Sequence, residues 1–137
     1  MSPKAITIAP RGEQAMRILV TGGRDFCDRM FLFDALAKLH SELVITAIIH
    51  GGASGADQLA GEWAKSVGIQ VEVFPADWKK HGKAAGPIRN AAMLKATPDI
   101  VVAFPGGRGT ANMILQASSA GVHVLHAEKL KQKGESL

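Results

Sequence analysis

Seven consecutive residues carry the chemistry that can be read most directly from this chain: Phe104-Pro105-Gly106-Gly107-Arg108-Gly109-Thr110, between an apolar run and a run of helical period. Glycine lets a backbone come close to a ligand, and the start of a helix offers N–H groups and a positive dipole end. Together these are the parts of a phosphate cradle. The same strand-to-glycine pattern recurs at Val20-Thr21-Gly22-Gly23-Arg24-Asp25 and at Ile49-His50-Gly51-Gly52-Ala53-Ser54-Gly55-Ala56-Asp57. The ligand contacts expected from the three loops are Gly22, Gly23, Arg24, Gly52, Ser54, Gly55, Gly106, Gly107, Arg108, Gly109 and Thr110.

A fourth segment, Trp78 to Asn90, is the longest polar connection and holds Lys79, Lys80, His81, Lys83 and Arg89. It reads as a basic lid. A cation near a helix start opposes the helix dipole, so Arg89 is expected to serve the site, where a guanidinium fork matches phosphate or carboxylate. Asn90 fits either the same site or a local cap. Asp57 has three readings: complementing its helix dipole, ordering the glycine loop, or holding a ribose hydroxyl. Ser54 fits a helix cap or a phosphate contact. Arg24 and Asp25 follow two glycines and are expected to touch ligand. Trp78 is a base-stacking wall or a packing residue. Thr110 reads as a first-turn hydroxyl.

The five histidines show no metal-like grouping, so neither a metal nor a cofactor is expected, and His50 reads as a satisfied strand-end histidine. Cys27 has no catalytic partner in the pattern. The G-x-G-x-x-G spacing of dinucleotide folds and the Gly-Lys-Ser/Thr ending of triphosphatase loops are both absent.

Short β-branched runs at 17–22, 43–50, 69–74, 99–104 and 122–127 alternate with segments of helical period at 28–41, 55–67, 84–96 and 109–120. Such alternation predicts a single α/β domain: a doubly wound, Rossmann-like parallel sheet of about five strands flanked by helices. In that architecture every loop leaving a strand for a helix lies on one edge, so the glycine motifs converge. Strand order 3-2-1-4-5, taken from fold habit, would place the first and third loops side by side.

With 137 residues, 47% of them hydrophobic, the chain suits one core. Residues 1–15 read as a loosely ordered leader, 16–128 as the nucleotide-binding domain and 129–137 as a basic tail. No apolar run approaches the roughly 20 residues of a membrane span. One cysteine fits a reducing compartment, and a cytoplasmic location is the expectation. The net charge of +4 suits an anionic partner.

From Arg17 to about Ala127 the chain resembles the Rossmann-like SLOG superfamily, which groups the Lonely Guy phosphoribohydrolases with DNA-processing protein A. The resemblance is to its YspA-like branch, and rests on Gly51-Gly52-Ala53-x-Gly55-Ala56-Asp57, Pro75-Ala76-Asp77-Trp78, Gly82-Lys83-x-Ala85-Gly86-Pro87-x-Arg89-Asn90 and Phe104-Pro105-Gly106-Gly107-x-Gly109-Thr110. It implies a nucleotide-like small-molecule ligand. In Lonely Guy enzymes the loop reads P-G-G-x-G-T-x-x-E, and an arginine in an R-K-x-x-M segment works with that glutamate to cleave an N-glycosidic bond. Here Arg89 and Met93 match the arginine segment, Asn90 replaces its lysine, and Met113 stands where the glutamate would be. Methionine can neither transfer a proton nor stabilise an oxocarbenium ion. The first expectation is therefore a nucleotide-binding sensor or processing domain, with Arg89 clamping phosphate. The second is a nucleoside 5′-monophosphate phosphoribohydrolase in which Asp25 or Asp57 acts with Arg89. The third, from DNA-processing protein A, is single-stranded nucleic-acid binding, with few aromatics for stacking. The superfamily also implies a homodimer.

Overall fold

A computed structural model describes residues 15–130. The expected leader up to residue 14 and the tail from 131 lie outside the described residues. Ala15 already belongs to the first strand, while Ala127 and Leu130 are buried in the core.

Five strands, β1 (Ala15–Thr21), β2 (Val44–His50), β3 (Gln70–Val73), β4 (Ile100–Ala103) and β5 (His123–His126), form one parallel sheet in the order β3-β2-β1-β4-β5. This is the doubly wound topology expected from the alternating pattern. The chain leaves β1 in one direction to build β2 and β3, then crosses back to build β4 and β5. The order thus reverses between β1 and β4, where a crevice opens beyond the strand ends.

The helices are α1 (Arg29–Glu42), α2 (Ala56–Ser66), α3 (Trp78–His81), α4 (Ala85–Lys95) and α5 (Arg108–Ser119). Side-chain oxygens accept from the first turns of α1 and α3: Asp28 from the Phe31 N–H at 3.1 Å and Asp77 from the Lys80 N–H at 3.1 Å. The Asp77 cap explains why the basic connection is not an open lid. It folds as the single turn of α3 and a 3-10 turn, Gly82–Ala84, running into α4.

Alternation along the strands divides the core. Ile18 and Val20 of β1 face a cluster with Leu32, Leu36, Ala60 and Trp63 of α1 and α2. Leu19, one position over, joins Ile49, Val101, Met93, Met113 and Ala117 on the α4–α5 side. Both faces of the sheet are therefore covered, and its C-terminal edge carries the loops. The Arg17 guanidinium of β1 meets the Glu72 carboxylate of β3 at 2.8 Å and the Ala96 carbonyl, at the end of α4, at 2.7 Å, which ties β1 to the edge strand and to α4.

Candidate functional site

The crevice at the topological switch is a cleft of about 670 Å³, lined from the loop after β1 by Gly22, Gly23, Arg24 and Asp25, from α2 by Asp57, from α3 by Trp78, from α4 by Arg89 and Asn90, and from the third loop by Gly106 through Thr110. The sheet thus brings together most of the residues singled out in the sequence. Gly52 and Ser54 lie instead in an adjoining recess of about 250 Å³, which shares Arg24, Trp78 and Arg89 with the cleft. Gly55 lines neither chamber.

What each glycine loop offers a ligand depends on where its N–H groups point. In the second loop three amides are engaged internally. The Gly51 and Ala53 N–H groups donate to Asp57 Oδ2 at 3.1 and 3.3 Å, and the Gly52 N–H donates to His50 Nδ1 at 2.9 Å. Asp57 is therefore the organiser of its own loop, one of the readings its position allowed. In the first loop the Gly23 N–H donates to the Pro105 carbonyl at 2.8 Å, while the Gly23 carbonyl accepts from Ala56 at 3.1 Å. Glycine is required for this knitting. At Gly55, where φ is +79°, a Cβ would lie 2.2 Å from the Gly23 carbonyl oxygen; at Gly106 it would lie 2.7 Å from the Gly23 nitrogen.

The third loop differs. Gly107 caps α5 without any side-chain hydrogen bond, and no acidic residue occupies the first turn of that helix. The N–H groups of Arg108, Gly109 and Thr110 have no acceptor within the helix, as at any helix start. A Cβ at Gly107 or Gly109 would meet nothing within 4 Å. Here the backbone donors of the first turn receive no side-chain cap, and a positive dipole end stands behind them.

Arg89 and Asn90 face this helix start as a prearranged pair. The Arg89 Nη1 donates to the Gly51 carbonyl at 2.9 Å and its Nε to Asn90 Oδ1 at 2.9 Å. Asn90 is only 2% exposed, and its Nδ2 donates onward to the Gly109 carbonyl at 3.2 Å and to Asn112 Oδ1 at 3.1 Å. One amide thus ties the arginine to the start of α5. Asn112 went unremarked in the sequence, although asparagine inside a helix is unfavourable and marks a side chain with another task. Burial pushes the Arg89 guanidinium below its ordinary value, with Asp57 pulling it back.

Burial also raises the Asp57 carboxyl above the usual carboxylate range, opposed by the Ala53 N–H and then by Arg89. Asp25, by contrast, is exposed at the rim. Trp78 is half-exposed and forms a side wall, with the Arg24 guanidinium carbon 5.1 Å from its ring centroid. Met113 is fully buried against the α4–α5 side of the sheet, so the third loop brings no carboxylate of its own to the cleft. Among the described residues no cluster of three or more His, Cys, Asp or Glu side chains is placed to hold a metal. No described helix is long and apolar enough to cross a membrane.

The profile of the family described as YspA, cpYpsA-related SLOG matches residues 16–81, which take in the first two glycine loops and α3. The Gene 61 protein of Mycobacterium phage D29 is 41% identical, in an alignment covering 80% of this chain and 94% of that protein.

Proposed function

Because the chain belongs to the SLOG superfamily, in its YspA and cpYpsA-related branch, we propose that it binds a nucleotide or nucleotide-derived phosphate ligand in the cleft, as a sensor or processing domain. The observation that carries this reading is the contrast among the three loops. Internal bonds occupy the amides of the second, whereas the start of α5 keeps its donors and faces Arg89 across the cleft. Phosphate sits on the Gly107–Thr110 turn, with the guanidinium as its counter-charge, and the uncharged end of the ligand extends towards Trp78.

Mass spectrometry of the denatured, freshly purified protein tests the reading, followed by calorimetry with nucleosides and their 5′-phosphates. Affinity that requires the phosphate supports it. Equal affinity for the bare nucleosides overturns it, and salt-sensitive retention of single-stranded nucleic acid alone would replace it.

Hydrolysis of an N-glycosidic bond is a second reading, favoured by one feature: a buried carboxyl with a raised pKa, Asp57, lining the same cleft as Arg89. Release of free base from a panel of nucleoside monophosphates would establish it, and its complete absence would sink it. Ile88 and Leu115 are exposed apolar residues on α4 and α5, and they are the side chains that a second copy of the chain would cover in a homodimer.

A further inference from the structure

A second cavity of about 620 Å³ lies outside the cleft, along the groove between α2 and the edge strand β3. Its floor is apolar, from Val71 and the half-exposed Val73, and Lys65 stands on its rim. At one end it reaches the ring of His50, which is only 6% exposed.

The state of that ring follows from its neighbours. Nδ1 accepts the Gly52 N–H at 2.9 Å. A nitrogen that accepts carries no proton, so in the neutral imidazole the proton sits on Nε2, which becomes a donor. Nε2 has no hydrogen-bond partner among the described residues. It lies beside Gly61, where any added Cβ would fall 2.9 Å away. The missing side chain at residue 61 is what leaves the donor reachable from the groove. Buried donors in folded proteins are nearly always satisfied, by protein, water or ligand, so this N–H calls for an acceptor that the described residues do not supply.

The charge around the groove narrows the choice. Glu62 lines it too, but its carboxylate is paired with Arg29 and accepts from Gln58. Among the described residues, that leaves the Lys65 ammonium as the unpaired charge on the groove. We propose that this groove is a second ligand site, which takes a small carboxylate with an apolar body. One carboxylate oxygen accepts from His50 Nε2–H, Lys65 supplies the counter-charge, and the apolar part lies on Val71 and Val73. The site stands independently of any nucleotide in the cleft, although His50 and the cleft share one loop: Gly52 is held by His50, and Gly51 holds Arg89.

Benzoate is a suitable probe, with benzyl alcohol as its uncharged counterpart, followed by nitrogen-15 NMR of the full chain. The expected result is a saturable shift of the His50 Nε2 resonance and of the Gly61 and Val73 amides with benzoate, at least tenfold weaker with benzyl alcohol. Lys65→Glu, at an exposed position, should weaken benzoate at least tenfold, and Gly61→Leu should abolish it by filling the notch. If the leucine variant fails to fold, the lysine variant decides. Shifts that do not saturate, that survive Lys65→Glu unchanged, or that centre on Gly107 to Thr110 would overturn the proposal; in the last case benzoate is simply occupying the anion site of the cleft.

Discussion

At the residue scale, Arg89 and His50 are opposite cases. Arg89 has its Nε and one Nη held by acceptors within the chain, so in the proposed site it would meet a phosphate without first losing rotamer freedom. Replacing it with alanine should weaken phosphate-dependent binding by about 1.5 to 3 kcal/mol, the usual worth of a charge-assisted hydrogen bond, read by calorimetry with whichever nucleotide the wild type binds best. Unchanged affinity would place the anion elsewhere. His50 is neutral by design of its surroundings: burial, and then Arg89, hold its pKa below the ordinary value of about 6.5. A depressed pKa means that its contribution to stability is complete above the unfolded value and is lost as pH falls through the folded one. Protonation would also remove the acceptor for the Gly52 N–H. His50→Asn keeps an acceptor but cannot titrate, so urea unfolding between pH 7 and pH 5 should show a flatter loss of stability than the wild type. Parallel slopes would contradict this account of His50.

At the scale of elements, the glycines divide into those that join loops and those that leave a helix start open. Gly55→Ala should cost about 2 kcal/mol or more, since a positive φ and contact with the Gly23 carbonyl both oppose it. Gly107→Glu meets no neighbour, so thermal unfolding should change little while anion binding is lost, because a carboxylate then occupies the start of α5. A Gly107→Glu protein that still binds phosphate would rule out this turn as the cradle. Met113 belongs to the same helix, on the face turned into the core. Met113→Glu therefore should not create a hydrolase. It should destabilise the fold by about 3 kcal/mol or more, as an unpaired buried charge does, and a stable variant with normal unfolding would show that this face of α5 is less enclosed than its packing indicates.

For the whole molecule, the doubly wound sheet puts the glycine loops on one edge, away from the outer faces of α4 and α5. Exposed Ile88 and Leu115 lie on those two helices, and sedimentation equilibrium should find a dimer that Leu115→Glu weakens at least tenfold. A monomer at all concentrations would show that these faces remain in water.

Much of this architecture is legible in the chain by itself, because periodicity and burial are local. Continuous apolar strands separated by helical periods require a parallel sheet, and the parallel sheet gathers Gly22, Gly52 and Gly106 on one edge. Arg89 could be singled out because its charge opposes the dipole of its own helix. The state of each loop was not legible, since hydrogen bonds between Gly23 and Pro105, or between Asn90 and Asn112, join residues far apart in sequence. Three similar motifs look alike as strings. Only the tertiary structure turned the amides of one inward to Asp57 and His50, knitted another to its neighbours, and left the third uncapped at the start of α5, because a backbone donor is available to a ligand only where the fold supplies no acceptor for it.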